Sequence, residues 1–473
     1  MELNSTSFIL FLTITIIGYW SVTAKYRWVV LLLASMFFFF SLQPLSLLTI
    51  TIIGVATYCC AALLSSRFTH KYLILALGLS INLGSLLFYK YGHFANEISS
   101  SLLTFEPFPS KLLLPIGMSF YTFQLSSYLI DIFRGTIKHN GHVGRFLLYL
   151  LFFPKFIAGP IEQNKTFLPQ ILKKHQWNQA HFSSGLSLFA LGFFKKAVIA
   201  DTIAVTVDRV FGSLEEYKGL SLVLIIFLYS WQILADFSGY TDMARGVARL
   251  FGYNLMENFS APYFATSVRD FWRRWHISLS TWFRDYLYIP LGGSRVALWR
   301  VCINYLLVFT LCGMWHGATI QFLLWGLMHG ILLSFEKITA HISKGRIVIP
   351  RLLAMIYTYS AICVSWVLFR ANSLTDALYV YQNSLEGIKN VINPNYVWAT
   401  TIKLFASNTI EMAITFICVV AILCIEIVSH NRQLLQILTK LPTWTKTIAY
   451  ILFLVCIILL RNVGVKQFIY VQF

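Results

Sequence analysis

Charged residues are scarce in this sequence of 473 residues. Only 12% of the residues are Asp, Glu, Lys or Arg, whereas 57% are hydrophobic and the mean hydropathy is +0.68. A typical soluble domain has about twice that share of charge. The composition therefore excludes a water-soluble globular protein and indicates that lipid surrounds most of the chain. At about 20 residues per span, the length fits one bundle of roughly ten to twelve membrane helices.

Cysteine motifs and signal-peptide features are also missing. The eight cysteines lie in or beside apolar stretches, and none forms a Cys-x-x-Cys pair or a spacing typical of metal ligands. We therefore expect packed thiols, with neither a disulfide framework nor a bound metal. The apolar stretch from Phe8 to Trp20 has no basic region before it and no Ala-x-Ala site after it. It predicts a retained first span rather than a cleaved signal.

Several motifs of soluble enzymes and transporters are absent as well. The sequence has no Walker loop, no dinucleotide-binding glycine fingerprint and no Gly-x-Ser-x-Gly elbow. These absences argue against nucleotide-driven chemistry and against serine hydrolases of the elbow type. We find no internal repeat, which counts against a common secondary-transporter design. A membrane transporter stays open as an alternative from another functional class.

Positive charge is plentiful between the apolar runs, and the net charge is +18. This placement favours cytosolic loops that face anionic lipid over any binding of nucleic acid. The basic residues of the first part of the chain follow alternate apolar segments: Lys25 and Arg27, then Arg67 and Lys71, then Arg134, Lys138 and Arg145. The alternation predicts a multi-pass membrane protein whose N-terminus lies outside and whose basic loops lie inside.

Two stretches depart from simple membrane spans. The apolar run 147–158 is too short to span and is followed by Gly159 and Pro160, so we expect a re-entrant helix. The stretch 245–300 holds eight arginines, no lysine and many aromatic residues. We expect it to form short amphipathic helices that lie at the cytosolic face or enter the bundle.

Ionisable residues within apolar stretches are the candidates for function, because burying them in a membrane is costly. Asp236 ends a long apolar run, and we expect it to pair with a nearby arginine. On one continuous helix, His276 would share a face with Ser280, and Arg273 would lie one turn before it. His316 and His329 lie 13 residues apart, which on one helix would prevent them from converging. Each of these two histidines is a packed core residue or a general base.

A series of motifs covers most of the chain from about residue 110 onward. The motifs are PIGMSFYTFQ (115–124), FPKFIAGPIEQ (153–163), DFSGYTDMARGVARLFGY (236–253), NFSAPYFATSVRDFWRRWHISLSTWFRDYLYIPLGGSR (258–295), MWHGA (314–318), GLMHG (326–330), FRA (369–371) and FIYVQF (468–473). In this order they resemble the membrane-bound O-acyltransferase family, and specifically its bacterial alginate O-acetyltransferase branch. One position departs from that branch, which usually has Arg shortly after Gly-Pro-Ile. Here Glu162 and Gln163 follow, which argues against alginate as the product.

The resemblance implies a fold, a reaction and a set of site residues. The fold is an all-α bundle of about 11 transmembrane helices plus re-entrant helices around a central tunnel. We take 1–473 as one domain, with N-terminal helices over 1–110, a catalytic core over 111–370 and C-terminal helices over 371–473. The family's two motif histidines fall on His316 and His276, which are therefore the expected catalytic residues. The expected supporting residues are His329, Asp236, Arg273, Arg274, Trp275, Trp315 and Ser280.

The implied reaction moves an acyl group, most simply acetyl, from a cytosolic thioester such as acetyl-CoA to a polysaccharide outside the membrane. No tightly bound cofactor is expected. The expected partner is a periplasmic or membrane-anchored acetyltransferase. A D-alanyl transferase of the teichoic-acid type, which takes its donor from a carrier protein, is the alternative within the same family.

Overall fold

The computed structural model of the chain describes residues 5–103, 114–139, 141–156, 159–344 and 349–431, with a few isolated residues outside these ranges. Within the described ranges the regular structure is helical throughout and includes no β-strand. The predicted all-α class is confirmed. The terminal motif FIYVQF and Cys456 lie outside the described residues.

The helices fall into two compact units, each assembled from segments that are distant in the sequence. Unit 1 comprises residues 1–190, 240–257 and 281–290, and unit 2 comprises 191–239, 258–280 and 291–473. The helices up to the first boundary are α1 Thr6–Ser21, α2 Arg27–Leu42, α3 Pro44–Ser65, α4 Lys71–Leu103, α5 Met118–Phe133, α6 Val143–Leu151, α7 Asn164–Leu172 and α8 Gln179–Phe193.

Beyond α8, the helices of the described chain are α9 Asp201–Gly212, α10 Leu220–Leu250, α11 Val268–Arg274, α12 Ile277–Phe283, α13 Leu298–His316, α14 Ile320–Ile342, α15 Arg351–Arg370, α16 Leu374–Asn383, α17 Pro394–Leu404 and α18 Thr409–His430. The first part of α10 belongs to unit 2 and its last turns belong to unit 1. Between α8 and α9, residues Phe194–Ala200 form a wide π-type turn that keeps the helix continuous.

Seven of the described helices are long and apolar enough to cross a membrane. They are α3, the Lys71–Gly92 part of α4, α10, α13, α14, α15 and α18. Helices α1 and α2 are apolar but have only 16 residues each. The chain is therefore a polytopic membrane bundle, as predicted. The expected number of about 11 spans is larger because the predicted spans α1, α2, α5 and α8 have only 15 or 16 residues each, and 446–460 lies mostly outside the described residues.

The arginine-rich stretch 245–300 forms short helices, as predicted. Helices α11 and α12 have seven residues each and are separated by only two residues. Trp275 and His276 in this stretch are almost completely buried, with 1% and 0% of their surface exposed. This stretch therefore enters the protein interior instead of lying wholly on its surface.

Glycines hold α13 and α14 closer together than any larger residue would allow. A Cβ atom on Gly326 of α14 would lie 2.1 Å from the carbonyl oxygen of Phe309 in α13. On the opposite helix, a Cβ on Gly313 would lie 2.1 Å from the carbonyl oxygen of Phe322. Small residues at such contacts are the usual basis of tight helix packing in membranes. The close approach fixes the end of α13, where His316 lies.

Adding one methyl group at this contact is expected to destabilise unit 2. Gly326→Ala would force α13 and α14 apart, at a cost of about 1–3 kcal/mol typical of overpacking. We expect the thermal midpoint of the purified protein to fall by several degrees. Gly84→Ala is the matched control, because nothing lies within 4 Å of a Cβ there. Equal midpoints for the two variants would contradict the close packing.

Candidate active site

His316 lies at the last position of α13, where the chain turns from one membrane helix into the next. The helix ends there because Gly317 is extended, with φ −159° and ψ 155°. The imidazole is 3% exposed. Its ring centroid lies 5.1 Å from that of Trp325 and 5.3 Å from that of Phe369. His316 is thus an ionisable group in an aromatic, water-poor environment.

His276 lies next to His316, although 40 positions separate them in the sequence. The centroids of the two imidazole rings are 6.5 Å apart, and Trp315 contacts both rings. The edge of Phe237 in α10 covers His276 at 4.7 Å between ring centroids. The structure therefore brings together the two histidines that the motifs singled out. They belong to the same unit.

The backbone at His276 adopts an unusual conformation. Its φ angle is +42°, in the left-handed region that residues other than glycine rarely occupy. Such a conformation persists only where the surrounding structure fixes it, and it is often found at functional sites. It also separates α11 from α12. The prediction of one continuous helix with Arg273 and Ser280 placed around His276 is therefore wrong.

Asn258 fixes the turn that carries His276. Its carbonyl oxygen accepts a hydrogen bond from the backbone N–H of Ile277 at 3.0 Å, and its side-chain Oδ1 accepts one from the N–H of Ser278 at 3.1 Å. Asn258 is 1% exposed. Sequence analysis missed this residue, although it begins the motif NFSAPYF. Only the tertiary structure shows that it supports the backbone 19 and 20 positions later.

Replacing Asn258 is expected to reduce activity more than stability alone explains. Asn258→Ala leaves the buried N–H of Ser278 without its acceptor, which costs about 1–3 kcal/mol and releases the His276 turn. We expect turnover per folded protein to fall roughly tenfold, since about 1.4 kcal/mol corresponds to a factor of ten. Asn304→Ala is the control, because this buried asparagine supports Leu291 and Gly293 instead. Equal turnover in the two variants would remove the positioning role.

His329 occupies the middle of α14 and has one defined partner. The indole Nε1–H of Trp272 donates a hydrogen bond to Nδ1 of His329 at 3.2 Å. Because an indole can only donate, Nδ1 must be unprotonated and the neutral ring carries its proton on Nε2. That Nε2 is buried and has no hydrogen-bond partner among the described residues. Trp325 lies between the two histidines, 5.1 Å from His316 and 4.8 Å from His329.

The other predicted supporting residues lie in different surroundings. Trp275 is packed among aromatic rings, including that of Trp366 at 5.0 Å. Arg274 forms an ion pair with Asp270 at 3.0 Å, while Arg273 is exposed. The N–H of Ser280 donates to the carbonyl oxygen of His276 at 3.0 Å, which begins α12. The arginines and the buried indoles therefore do not form one cluster.

Asp236 takes part in a buried ion cluster, but its partner is not an arginine as predicted. The ammonium group of Lys196 lies 2.7 Å from Asp236 and 2.8 Å from Asp201, and all three side chains are at most 5% exposed. Lys196 reaches Asp236 from the wide turn Phe194–Ala200. At this turn Gly239 lets α10 approach so closely that a Cβ would lie 2.7 Å from the carbonyl oxygen of Gly192. Asp236 therefore anchors α10 through Lys196. The next residue of α10, Phe237, contacts His276.

The described residues contain no group of three or more His, Cys, Asp or Glu side chains placed to hold a metal ion. The arrangement around His276 and His316 is suited to moving a proton. Imidazoles can accept and return a proton during a reaction, and the enclosing aromatic rings limit the access of water.

Comparison with known proteins supports this assignment of the motifs. Residues 139–373 match the model of the membrane-bound O-acyltransferase family. The chain is 36% identical over 393 residues to a probable alginate O-acetylase AlgI of Pseudomonas aeruginosa, covering 81% of this chain and 74% of that protein. It is 34% identical over 461 residues to a peptidoglycan O-acetyltransferase of Helicobacter pylori, covering 88% and 86%.

A more distant relative is named for a different transfer reaction. The chain is 29% identical over 279 residues to a teichoic acid D-alanyltransferase of Bacillus subtilis, which covers 55% of this chain and 70% of that protein. His276 and His316, Asn258 and Trp325 all lie inside the residues that match the family model.

Proposed function

Because the chain belongs to the membrane-bound O-acyltransferase family, we propose that it transfers an acetyl group from a cytosolic thioester to a polysaccharide at the cell surface. The observation that carries the proposal is the buried pair of His276 and His316, with 6.5 Å between the ring centroids. Such a pair provides a base that can take the proton of an acceptor hydroxyl. That arrangement suits direct transfer from a donor that is already activated.

In the proposed reaction, His316 accepts the proton of an acceptor hydroxyl as its oxygen attacks the thioester carbonyl. A C–O bond forms and the C–S bond breaks. The proton held by His316 then passes to the departing thiolate, so the products are an ester and a free thiol. The surrounding rings of Trp315, Trp325 and Phe369 keep water away from the thioester, which limits hydrolysis.

We propose supporting roles for the other two histidines. His276 orients the reacting groups, and its left-handed backbone holds the imidazole in one position. The buried Nε2–H of His329 is a donor for a substrate oxygen, since a buried donor without an acceptor costs about 1–3 kcal/mol. We assign Lys196, Asp236 and Asn258 to positioning rather than to contact with the substrate.

The remaining features of the proposal concern donor, partner and topology. We propose acetyl-CoA or a similar thioester as the donor, with no tightly bound cofactor. A periplasmic or membrane-anchored transferase would receive the acetyl group where the transfer to polysaccharide is indirect. The chain would lie in the bacterial inner membrane with its basic loops towards the cytosol, as the distribution of positive charge favours, and its core would enclose a tunnel.

A second candidate is transfer of D-alanine to a teichoic acid, which the similarity to a D-alanyltransferase favours. The higher identity to two proteins named for O-acetylation favours acetyl transfer. The two reactions share the same thioester chemistry and differ in the acyl group. They are therefore separated by identifying the product.

The test is to express the protein with the genes that neighbour it, in a strain without its own surface O-acylation. Base treatment of the isolated polysaccharides releases the ester-linked acid, which mass spectrometry identifies. We expect acetate from cells with the protein and none from cells with the empty vector. Release of D-alanine instead would establish the second candidate. Absence of any new ester, with folded protein in the membrane, would overturn the proposed reaction.

A further inference from the structure

Unit 1 contains a pocket that the proposed reaction does not use. It holds about 80 Å³ of space and is lined at the ends of several helices rather than within a span. Its lining includes six basic side chains and no carboxylate, namely Lys25, Arg27, Arg145, Lys173, Lys174 and His175. Aromatic rings of Tyr19, Trp28 and Tyr253 complete the wall.

The guanidinium group of Arg27 is held in place by the surrounding protein. Arg27 donates from Nε to the carbonyl oxygen of Val22 at 3.0 Å and from Nη1 to that of His175 at 2.6 Å. Its guanidinium also lies 4.6 Å from the ring centroid of Trp20. Arg27 therefore joins the turn after α1 to the turn after α7 and fixes one wall of the pocket.

Arg145 is the side chain that most directly suggests an anion site. Its Nε is buried and has no hydrogen-bond partner among the described residues. The residue lies in the first turn of α6, close to Trp28, whose ring would lie 2.8 Å from a Cβ on Gly144. The amino-terminal end of a helix favours negative charge. An anion in the pocket would satisfy both the guanidinium and the end of α6.

The exposed wall of the pocket is also positive. Lys173 and Lys174 follow α7 and are exposed, as is Lys25 in the turn between α1 and α2. Burial lowers the pKa of His175 from its ordinary value, so this imidazole is neutral at neutral pH. Five side chains therefore carry positive charge there. Arginine and lysine grouped in this way bind phosphate through charge-assisted hydrogen bonds.

We propose that this pocket binds the phosphate group of an anionic ligand. The turn between the apolar helices α1 and α2 forms one wall, which places the pocket beside a membrane surface. Basic clusters beside membrane helices bind anionic phospholipid headgroups. A headgroup is therefore the source that the location favours, and a soluble phosphate compound is the other source of the same chemistry. The proposal does not depend on the acyl-transfer reaction.

The test uses the full chain reconstituted in nanodiscs of phosphatidylcholine, with and without phosphatidylglycerol. We expect phosphatidylglycerol to raise the thermal midpoint by several degrees, because a ligand that binds only the folded state stabilises it. Native mass spectrometry should show retained phosphatidylglycerol. Pyrophosphate and CoA, added separately to the phosphatidylcholine discs, are the soluble probes.

Two variants connect the effect to the pocket. Lys173→Gln/Lys174→Gln changes only exposed side chains, and Arg145→Gln removes the half-buried guanidinium. Each should weaken binding roughly tenfold, the effect of about 1.4 kcal/mol. Lys71→Gln/Lys165→Gln is the control, since it removes two exposed charges that do not line the pocket. Binding of lipid alone or of a soluble probe supports the site and identifies its source. Binding of neither, or equal losses in the control, overturns it.

Discussion

Replacement of His316 by glutamine is expected to reduce acyl transfer by about 10²–10⁴-fold, the usual contribution of general acid–base catalysis. Glutamine is close to histidine in size and polarity, so the aromatic enclosure at 5.1 Å from Trp325 can persist. It cannot accept a proton near neutral pH. The measurement is the rate of ester formation on the polysaccharide, expressed per amount of folded protein in the membrane.

The control for this variant is His341→Gln. His341 lies on α14 in the same unit, but its side chain is exposed and lies outside the buried histidine site. We expect its transfer rate to equal that of the wild type. A wild-type rate for His316→Gln would remove His316 from the chemistry and leave His276 and His329 as the remaining candidates.

Replacement of Lys196 by methionine is expected to cause the largest loss of stability. The change leaves Asp201 and Asp236 buried without their shared cation, and breaking a buried ion pair in this way costs about 3–5 kcal/mol. We expect a strongly lowered thermal midpoint in detergent and little folded protein in the membrane. The triple change Lys196→Met/Asp201→Asn/Asp236→Asn removes the uncompensated charges and should recover most of the loss.

Lys218→Met is the matched control for the ion cluster. Lys218 pairs with Glu386 at 3.2 Å in the same unit, but both side chains are more than half exposed. Exposed pairs contribute about 0–1 kcal/mol, so this variant should unfold at nearly the wild-type temperature. A similar midpoint for Lys196→Met would show that the cluster does not anchor α10.

The sequence was sufficient to predict the membrane environment and the all-α fold class. Scarce charge and long apolar runs predict a membrane bundle because the cost of unsatisfied polar groups in lipid leaves few alternatives. Glycine follows His329, and a Cβ on this Gly330 would lie 2.8 Å from the Cα of Leu306, so the backbones of α13 and α14 approach closely there.

The contacts that hold the histidine site in place could not be predicted from the sequence. A helical spacing rule assumes a continuous helix, and the left-handed φ of His276 interrupts it. Lys196, the partner of Asp236, lies 40 positions earlier on a wide turn, and no local sequence pattern predicts this pairing. Asn258 acts through its backbone carbonyl and one side-chain oxygen. These contacts depend on tertiary packing, which periodicity and motif spacing do not encode.

The most direct test of the central claim is release of free thiol by the purified protein. The protein, together with its partner transferase where the neighbouring genes supply one, is mixed with acetyl-CoA and the isolated polysaccharide. We predict that thiol release and new ester form in equal amounts with the wild type, and that both fall at least 100-fold with His316→Gln, consistent with loss of a general base. Equal thiol release by the two proteins would contradict acyl transfer at the buried histidines.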